Sequence, residues 1–486
     1  MKTISRYLFL PAVISLLTFG LGQAQEKEAI QYIYKNWADQ NLLKHASVGF
    51  YAIDAKSGEL LAKSAPQQSL VPASTMKLVT TAAAMELLGP DYRFETTLAY
   101  QGEIKNDTLF GDLVLIGGGD PALGSNYFAG YPAYANFLPN WASDVKNRHI
   151  NHITGNIRVD ASAYDDMSIP GTWIWEDIGN YYGAGAFGLS IYDNTFEIHF
   201  LSPKQAGEQT SIKYTTPNLP DITFDNRVRS SDENRDNAYI FGSPLEPKRL
   251  IRGTIPKGRN DFAVKASIPN PPLMAGLQLQ KALEQKAIAI DGEVICAANS
   301  KKNMPTSISV LQSPTLAKIV EVTNHESVNL FAEHLLRQIA FEKTGRGSTD
   351  AGTRLVNGFW KEKGMDTRGL FITDGSGLSH FNGITAEQLV FVLGYMKNRS
   401  ANNEAFFGSL PAVPEGTLWY FNHVSFPKQS LLAKSGSMTR IRCFAGQLTT
   451  RSNKEILFAI QLNNFDCSQG QAIKAIEQLL QNIRNQ

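Results

Sequence analysis

Hydrophobic spacing along the chain predicts two kinds of region. Residues 26–44 place Ile30, Ile33, Trp37 and Leu42-Leu43 on one side of an amphipathic helix. Residues 47–54 and 59–64 alternate about Lys56-Ser57-Gly58 and predict a β-hairpin. Residues 72–88 are almost wholly apolar, carry Ala82, Ala83 and Ala84, and stop at Gly89-Pro90. That pattern predicts a helix buried on most sides. At the other end, 431–433, 443–449 and 455–462 are strand candidates, and 471–483 is an amphipathic helix. A helix and hairpin at the start, with strands and a helix at the end, predict one antiparallel sheet built from both termini with helices packed on it. Residues 92–311 differ: short β-like stretches such as 113–116, 157–159, 196–200 and 262–264 alternate with Gly and Pro turns. They read as a β-rich insertion of one or two domains. The division expected is therefore 25–91 with 312–486 as a split domain, interrupted by 92–311.

At 486 residues the chain exceeds one ordinary core. Its net charge of +1 and lack of basic runs give no nucleic-acid footprint. Lys2 and Arg6 precede an apolar stretch at 7–21 and small residues to Ala24, the pattern of a signal peptide over 1–24. The stretch is shorter than the about 20 residues of a membrane span, so a secreted chain is expected. Cys296, Cys443 and Cys467 are odd in number and far apart, which predicts neither a disulfide framework nor a zinc site. No cofactor is expected.

Three short motifs carry candidate chemistry. In Ser74-Thr75-Met76-Lys77, positions i and i+3 share a helix face, so hydroxyl and amine can meet. A lysine on an apolar helix is costly unless paired or neutral, and a neutral lysine beside a serine is a general base beside a nucleophile. The plainer alternative is an N-capping Ser74 with Lys77 reaching solvent. Ser327-Val328-Asn329 falls in a helix expected over 320–339, where Ser327 can relay a proton and Asn329 can bind an amide. By itself it is equally a polar helix face. Lys434-Ser435-Gly436-Ser437 ends the apolar run at 431–433. It reads either as an edge strand, with a cation for a substrate carboxylate and room at Gly436 for a ligand, or as a hairpin turn with a surface lysine. The N–H groups of Ser74 and Ser437 can form an oxyanion hole.

Taken in this order, the motifs resemble the Ser-x-x-Lys, Ser-Asp-Asn and Lys-Thr-Gly trio of penicillin-binding proteins and class A β-lactamases, with Val328 where Asp is common and Ser435 in place of Thr, which keeps the hydroxyl. Together with Gly111-Asp112-Leu113-Val114-Leu115, Gly119-Asp120-Pro121 and Asp374-Gly375-Ser376-Gly377-Leu378-Ser379, the chain resembles the S13 peptidases, the class C low-molecular-mass penicillin-binding proteins. The resemblance implies an α+β fold of the penicillin-binding/β-lactamase type, an antiparallel sheet with flanking helices. It also implies a periplasmic serine D-alanyl-D-alanine carboxypeptidase or endopeptidase acting on peptidoglycan stem peptides and acylated by β-lactams. The implied roles are Ser74 as nucleophile, Lys77 as base, Ser327 and Asn329 in proton relay and substrate contact, and Lys434, Ser435, Gly436 and Ser437 in carboxylate binding and the oxyanion hole. Asp160 is similar to a position that contacts an amino group of the stem. His380 stands where the family more often has arginine. A β-lactamase, a transpeptidase using the same residues with an amine acceptor, and a catalytically silent wall-peptide-binding protein are the alternatives; no Glu-x-x-x-Asn segment lies in a helix context comparable to that of a β-lactamase.

Four weaker patterns have structural explanations. The run 183–188 is a Gly-rich loop and Gly117-Gly118-Gly119 a turn. His325, Glu326, Glu333 and His334 are expected on a solvated helix face. Trp173, Trp175, Tyr181 and Tyr182 are expected in a core cluster rather than a wall-binding patch.

Overall fold

A computed structural model describes residues 28–131, 136–219, 221–298, 304–427 and 429–486. The expected signal peptide, 1–24, lies outside the described residues. The chain forms two compact units, one of 1–79, 363–371 and 382–486, the other of 80–362 and 372–381.

The first unit is built on the sheet expected from the termini. Its five strands run in the order Leu431–Met438, Ile441–Thr449, Glu455–Asn463, Ser47–Asp54 and Leu60–Ser64, all antiparallel. The first and last strands among the described residues lie side by side, with Ser47 opposite Asn463. Ile441–Thr449 and Glu455–Asn463 are buried at nearly every position, because both faces of the sheet are covered. On one face, Gln469–Arg484 buries Ala472, Ile476, Leu479, Leu480 and Ile483, a stripe at helical spacing. A reciprocal Ser468/Gln471 cap fixes the start of this helix. Each large apolar side chain buried there contributes about 1.5–3 kcal/mol, against about 1 kcal/mol for a cap, so packing dominates. Trp37, in the helical stretch 28–38, donates its indole N–H to Ala475 O at 2.7 Å and ties that helix to Gln469–Arg484.

Among its described residues, the second unit holds three separate sheets. The largest centres on the hairpin of Glu95–Lys105 and Thr108–Gly117, joined by Asn106-Asp107 at φ 48° and 57°. Two left-handed central residues make the tight turn that suits strand twist. Two three-stranded sheets follow: Asn237–Phe241, Lys248–Pro256 and Thr223–Ser231, then Phe262–Ser267, Thr195–Leu201 and Ser211–Thr216. The helices Leu316–His325, Asn329–Thr344 and Thr349–Glu362 belong to this unit. The α+β class expected from the sequence is the one observed.

One helix differs from expectation. The pattern over 320–339 predicts an unbroken helix, yet the chain leaves it after His325 and restarts at Asn329. Ser327 sits at φ 61°, the left-handed region. No Gly or Pro marks the break, and the polar run 323–327 between Val322 and Val328 reads equally as a solvated turn of helix, so the pattern alone does not announce it.

Candidate active site

In the first unit, Pro72 leads into a 3-10 turn, Ala73–Thr75, ahead of the helix Met76–Leu88. Ala73 takes φ 47°, a conformation that costs an L-residue about 1–3 kcal/mol and clusters at working sites. Thr75 ties the turn down by donating its hydroxyl to Pro72 O at 2.8 Å. Lys77 is fully buried, and its Nζ lies 3.0 Å from Ser74 Oγ. The i, i+3 meeting expected from the sequence is therefore made, and the solvent-reaching alternative for Lys77 is excluded.

Lys434, Ser435, Gly436 and Ser437 lie within the strand Leu431–Met438, not in a turn. That strand is an edge of the sheet; beyond a single bridge from Leu432 to Ala412, no strand pairs with its outer side among the described residues. Gly436 is required by close approach. A Cβ there would lie 2.5 Å from Pro72 O and 3.1 Å from the backbone nitrogens of Ser74 and Thr75. Lys434 is fully buried and donates to Ser435 O at 2.8 Å. Its ammonium is held well below the usual lysine range, first by burial, then by the charges of Lys77 and Arg442. The edge strand thus presses on the serine turn and brings a second amine to it.

The second unit carries Ser327 in the break between two helices and Asn329 at the start of the next. Asn329 Nδ2 donates to Tyr182 O at 2.9 Å. Asp177 lies nearby: burial raises its carboxyl, while a hydrogen bond from the Tyr182 hydroxyl and the charge of His380 pull it down. His380 is exposed. Asp160 is buried in the strand Ile157–Asp160, where Oδ1 accepts from Ser162 N at 2.9 Å. Asp177 was not singled out from the sequence, and Tyr182 belongs to the aromatic stretch expected in the core. That stretch is largely surface: Trp173 is buried, but Trp175 is 60% and Tyr181 54% exposed.

The expected solvated face on the helix Asn329–Thr344 is also corrected. Glu333 and His334 are buried, as is every residue from Leu330 to Ala340. Glu333 accepts from Gly375 N at 3.1 Å and Ser376 N at 2.8 Å. Asp374 accepts from Gly377 N at 2.7 Å, Ser379 N at 2.6 Å and Trp173 Nε1 at 2.8 Å. The two carboxylates thus fold 374–379 into a tight turn. Burial, then the charge of Asp374, pushes the Glu333 carboxyl up to about 7. His334 bonds Gly119 O through Nδ1 at 2.7 Å and Ser190 Oγ through Nε2 at 2.9 Å, and burial pushes it down to about 3. All three cysteines are free, and no cluster of His, Cys, Asp or Glu that could hold a metal occurs among the described residues. No described helix is long and apolar enough to cross a membrane.

The model of the D-Ala-D-Ala carboxypeptidase 3 (S13) family matches residues 30–483. Among curated relatives, a D-alanyl-D-alanine carboxypeptidase of Actinomadura sp. (strain R39) is 27% identical over 440 residues, covering 87% of this chain and 78% of the relative. A D-alanyl-D-alanine carboxypeptidase of Haemophilus influenzae is 24% identical over 435 residues, covering 88% and 87%. Among solved structures, penicillin binding protein 4 from Haemophilus influenzae superposes with a TM-score of 0.79 at 22% identity, covering 93% of this chain and 98% of that one. The same protein complexed with a β-lactam gives a TM-score of 0.76 at 21% identity, with the same coverage.

Proposed function

Since the chain belongs to the D-Ala-D-Ala carboxypeptidase 3 (S13) family, we propose that it is a serine-type D-alanyl-D-alanine carboxypeptidase working through an acyl-enzyme on Ser74. The observation that carries the reading is the buried Lys77 amine 3.0 Å from the Ser74 hydroxyl. With the amine neutral, Ser74 Oγ attacks the carbonyl of the penultimate D-alanine and its proton passes to Lys77. The tetrahedral adduct collapses, the C–N bond breaks, and the leaving D-alanine amine takes up a proton. Water then hydrolyses the ester and restores Ser74.

The remaining roles are carried from the family resemblance. Ser327 relays the proton and Asn329 contacts the substrate amide. Lys434, Ser435 and Ser437 receive the terminal carboxylate, and the N–H groups of Ser74 and Ser437 receive the oxyanion. Asp160 and His380 are proposed contacts to the peptide stem. Peptidoglycan stem peptides are the proposed substrates, with cross-links as a second substrate form, and β-lactams are the proposed inhibitors. The proposal includes export by residues 1–24 to the periplasm, and the division into a split catalytic domain, 25–91 and 312–486, with an inserted 92–311.

The test is intact-mass measurement after incubation with benzylpenicillin, beside Ser74→Ala. A stable adduct on the native chain, absent from the variant, is the expected result. No adduct with the penicillin untouched would overturn the acyl-enzyme and leave a wall-peptide-binding protein; no adduct with the penicillin consumed identifies a β-lactamase.

A further inference from the structure

The second unit carries an exposed aromatic surface that the proposed chemistry does not use. Trp175, in the short helix Trp175–Ile178, is exposed, and its ring packs 4.7 Å from that of Phe241. Phe241 ends the strand Asn237–Phe241, an edge of its three-stranded sheet. Along that strand Ile240 is fully buried, so Tyr239 and Phe241 share the opposite, outward face. Tyr239 is 42% exposed there. Asn180 holds the helix end to this strand: its side chain accepts from Ile240 N at 3.1 Å and donates to Ile240 O at 3.4 Å. Tyr181 follows directly and is also exposed, with its ring edge-on to Tyr182 at 5.3 Å. Burial, then the charges of Asp177 and Tyr239, pushes the Tyr182 hydroxyl up, so Tyr239 lies within its electrostatic reach. Single exposed apolar residues need no explanation, but rings gathered on one surface mark a binding site.

The groups around the rings indicate what binds. Glu176 is exposed beside Trp175. Burial, then the charge of Asp236, raises the Tyr181 hydroxyl. Arg252 is exposed and lies directly opposite Tyr239 in the strand register, on the same face. The rim therefore offers both acceptors and a donor. An anionic lipid surface or nucleic acid would be repelled by Glu176 and Asp236, and a cationic ligand by Arg252. A neutral chain with C–H groups on its faces and hydroxyls at its edges suits both. Aromatic rings, negative on their faces, take the C–H groups, and the rim takes the hydroxyls. That is the chemistry of a pyranose polymer. The surface also continues into the wall of the candidate site, because Tyr182 O, one residue beyond Tyr181, accepts from Asn329 Nδ2 at 2.9 Å. A stem peptide hangs from a sugar chain, so a site that holds the stem has that chain within reach.

We propose that Trp175, Tyr181 and Tyr239 form a platform that binds the glycan strand of peptidoglycan beside the peptide site. The inference rests on the peptidase reading above and adds a sugar-binding subsite to it. The platform favours stems still attached to glycan over free peptides. It lies away from the reacting atoms and binds ground state and transition state alike, so its loss falls on KM for glycan-borne substrate and leaves kcat unchanged.

The full-length protein is titrated calorimetrically with peptide-free wall glycan chains. It is also assayed on a free pentapeptide ending in D-Ala-D-Ala and on the same pentapeptide borne on a glycan tetrasaccharide. The native protein is expected to bind the glycan and to show the lower KM on the glycan-borne stem. Trp175→Ala is expected to weaken glycan binding and raise that KM about 10-fold, the effect of one ring lost from contact. Its kcat/KM on the free pentapeptide and its uptake of benzylpenicillin at Ser74 stay near native, and Trp175→Phe restores part of the affinity. Tyr239→Ala shows a loss in the same direction and decides the matter if Trp175→Ala does not fold. No glycan binding by the native protein, undiminished binding in both variants, or equal losses on free and glycan-borne peptide would each overturn the proposal. A native protein that cleaves neither peptide and takes up no benzylpenicillin refutes the peptidase reading instead, while the calorimetric arm still decides the platform.

Discussion

Replacing Gly436 by alanine tests the geometry on which the site depends. The added Cβ would lie 2.5 Å from Pro72 O, and 3.1 Å from Ser74 N and Thr75 N. A carbon and a carbonyl oxygen approach comfortably only to about 3.3 Å, so the strand and the serine turn must part by roughly 0.8 Å. The obstructing atoms are backbone, and no rotamer change relieves them. Ser74 sits in that turn, beside Ala73 at φ 47°, so the displacement is delivered to the nucleophile itself. A misplacement near 1 Å costs on the order of 10²-fold in rate, and overpacking costs about 1–3 kcal/mol in stability. The assay is the second-order rate of Ser74 acylation by a fluorescent penicillin, alongside urea midpoints. Gly470→Ala serves as control: a Cβ there meets nothing within 4 Å, and the position lies in the first turn of Gln469–Arg484. Gly436→Ala is expected to lose about 10²-fold in acylation while the control keeps the native rate. Acylation of Gly436→Ala within about 3-fold of native, less than 1 kcal/mol, would refute the close approach of strand and turn.

Two further perturbations probe the second unit. Ser327→Gly removes the hydroxyl while relieving the φ of 61°, so stability should hold or rise by about 1 kcal/mol as acylation falls on the order of 10²- to 10⁴-fold. Native-like acylation in that variant would remove Ser327 from the reaction. Glu333 has a folded pKa raised above its unfolded value, to about 7 from 4.5, so the folded protein holds the extra proton between those values. Its contribution is therefore full below pH 4.5 and is lost as pH rises through about 7. Glu333→Gln gives up one of the acceptors for Gly375 N and Ser376 N, a constant cost of about 1–3 kcal/mol, but removes the ionisation. Urea midpoints at pH 5 and pH 8 should then converge in the variant relative to the native protein; an unchanged pH dependence would show that Glu333 is not the responsible group.

Local pattern was enough for the terminal sheet, the buried helix after Ser74 and the meeting of Ser74 with Lys77. Each follows from spacing within a few residues: alternation for the strands, i and i+3 for the serine and lysine. The break at Ser327 was not legible, because the polar run 323–327 reads equally as a solvated turn of helix and no Gly or Pro announces a left-handed residue. Glu333 and His334 are buried, against the solvated face expected, on a helix where Leu330, Phe331, Ala332, Leu335, Leu336, Ile339 and Ala340 spread over more than one face. That spread of apolar residues was the available signal of full burial. Arg442 stood in plain view between Ile441 and Cys443, yet nothing local told an edge cation from a buried one.

The sequence by itself determined which chemical groups lie on which local elements, and in what order. Only the tertiary structure decided which of them lose water. Burial depends on what the rest of the chain lays over a residue, and it is burial that moves the Glu333 carboxyl up, the His334 ring and the Lys434 amine down, and leaves Arg442 Nε without a partner.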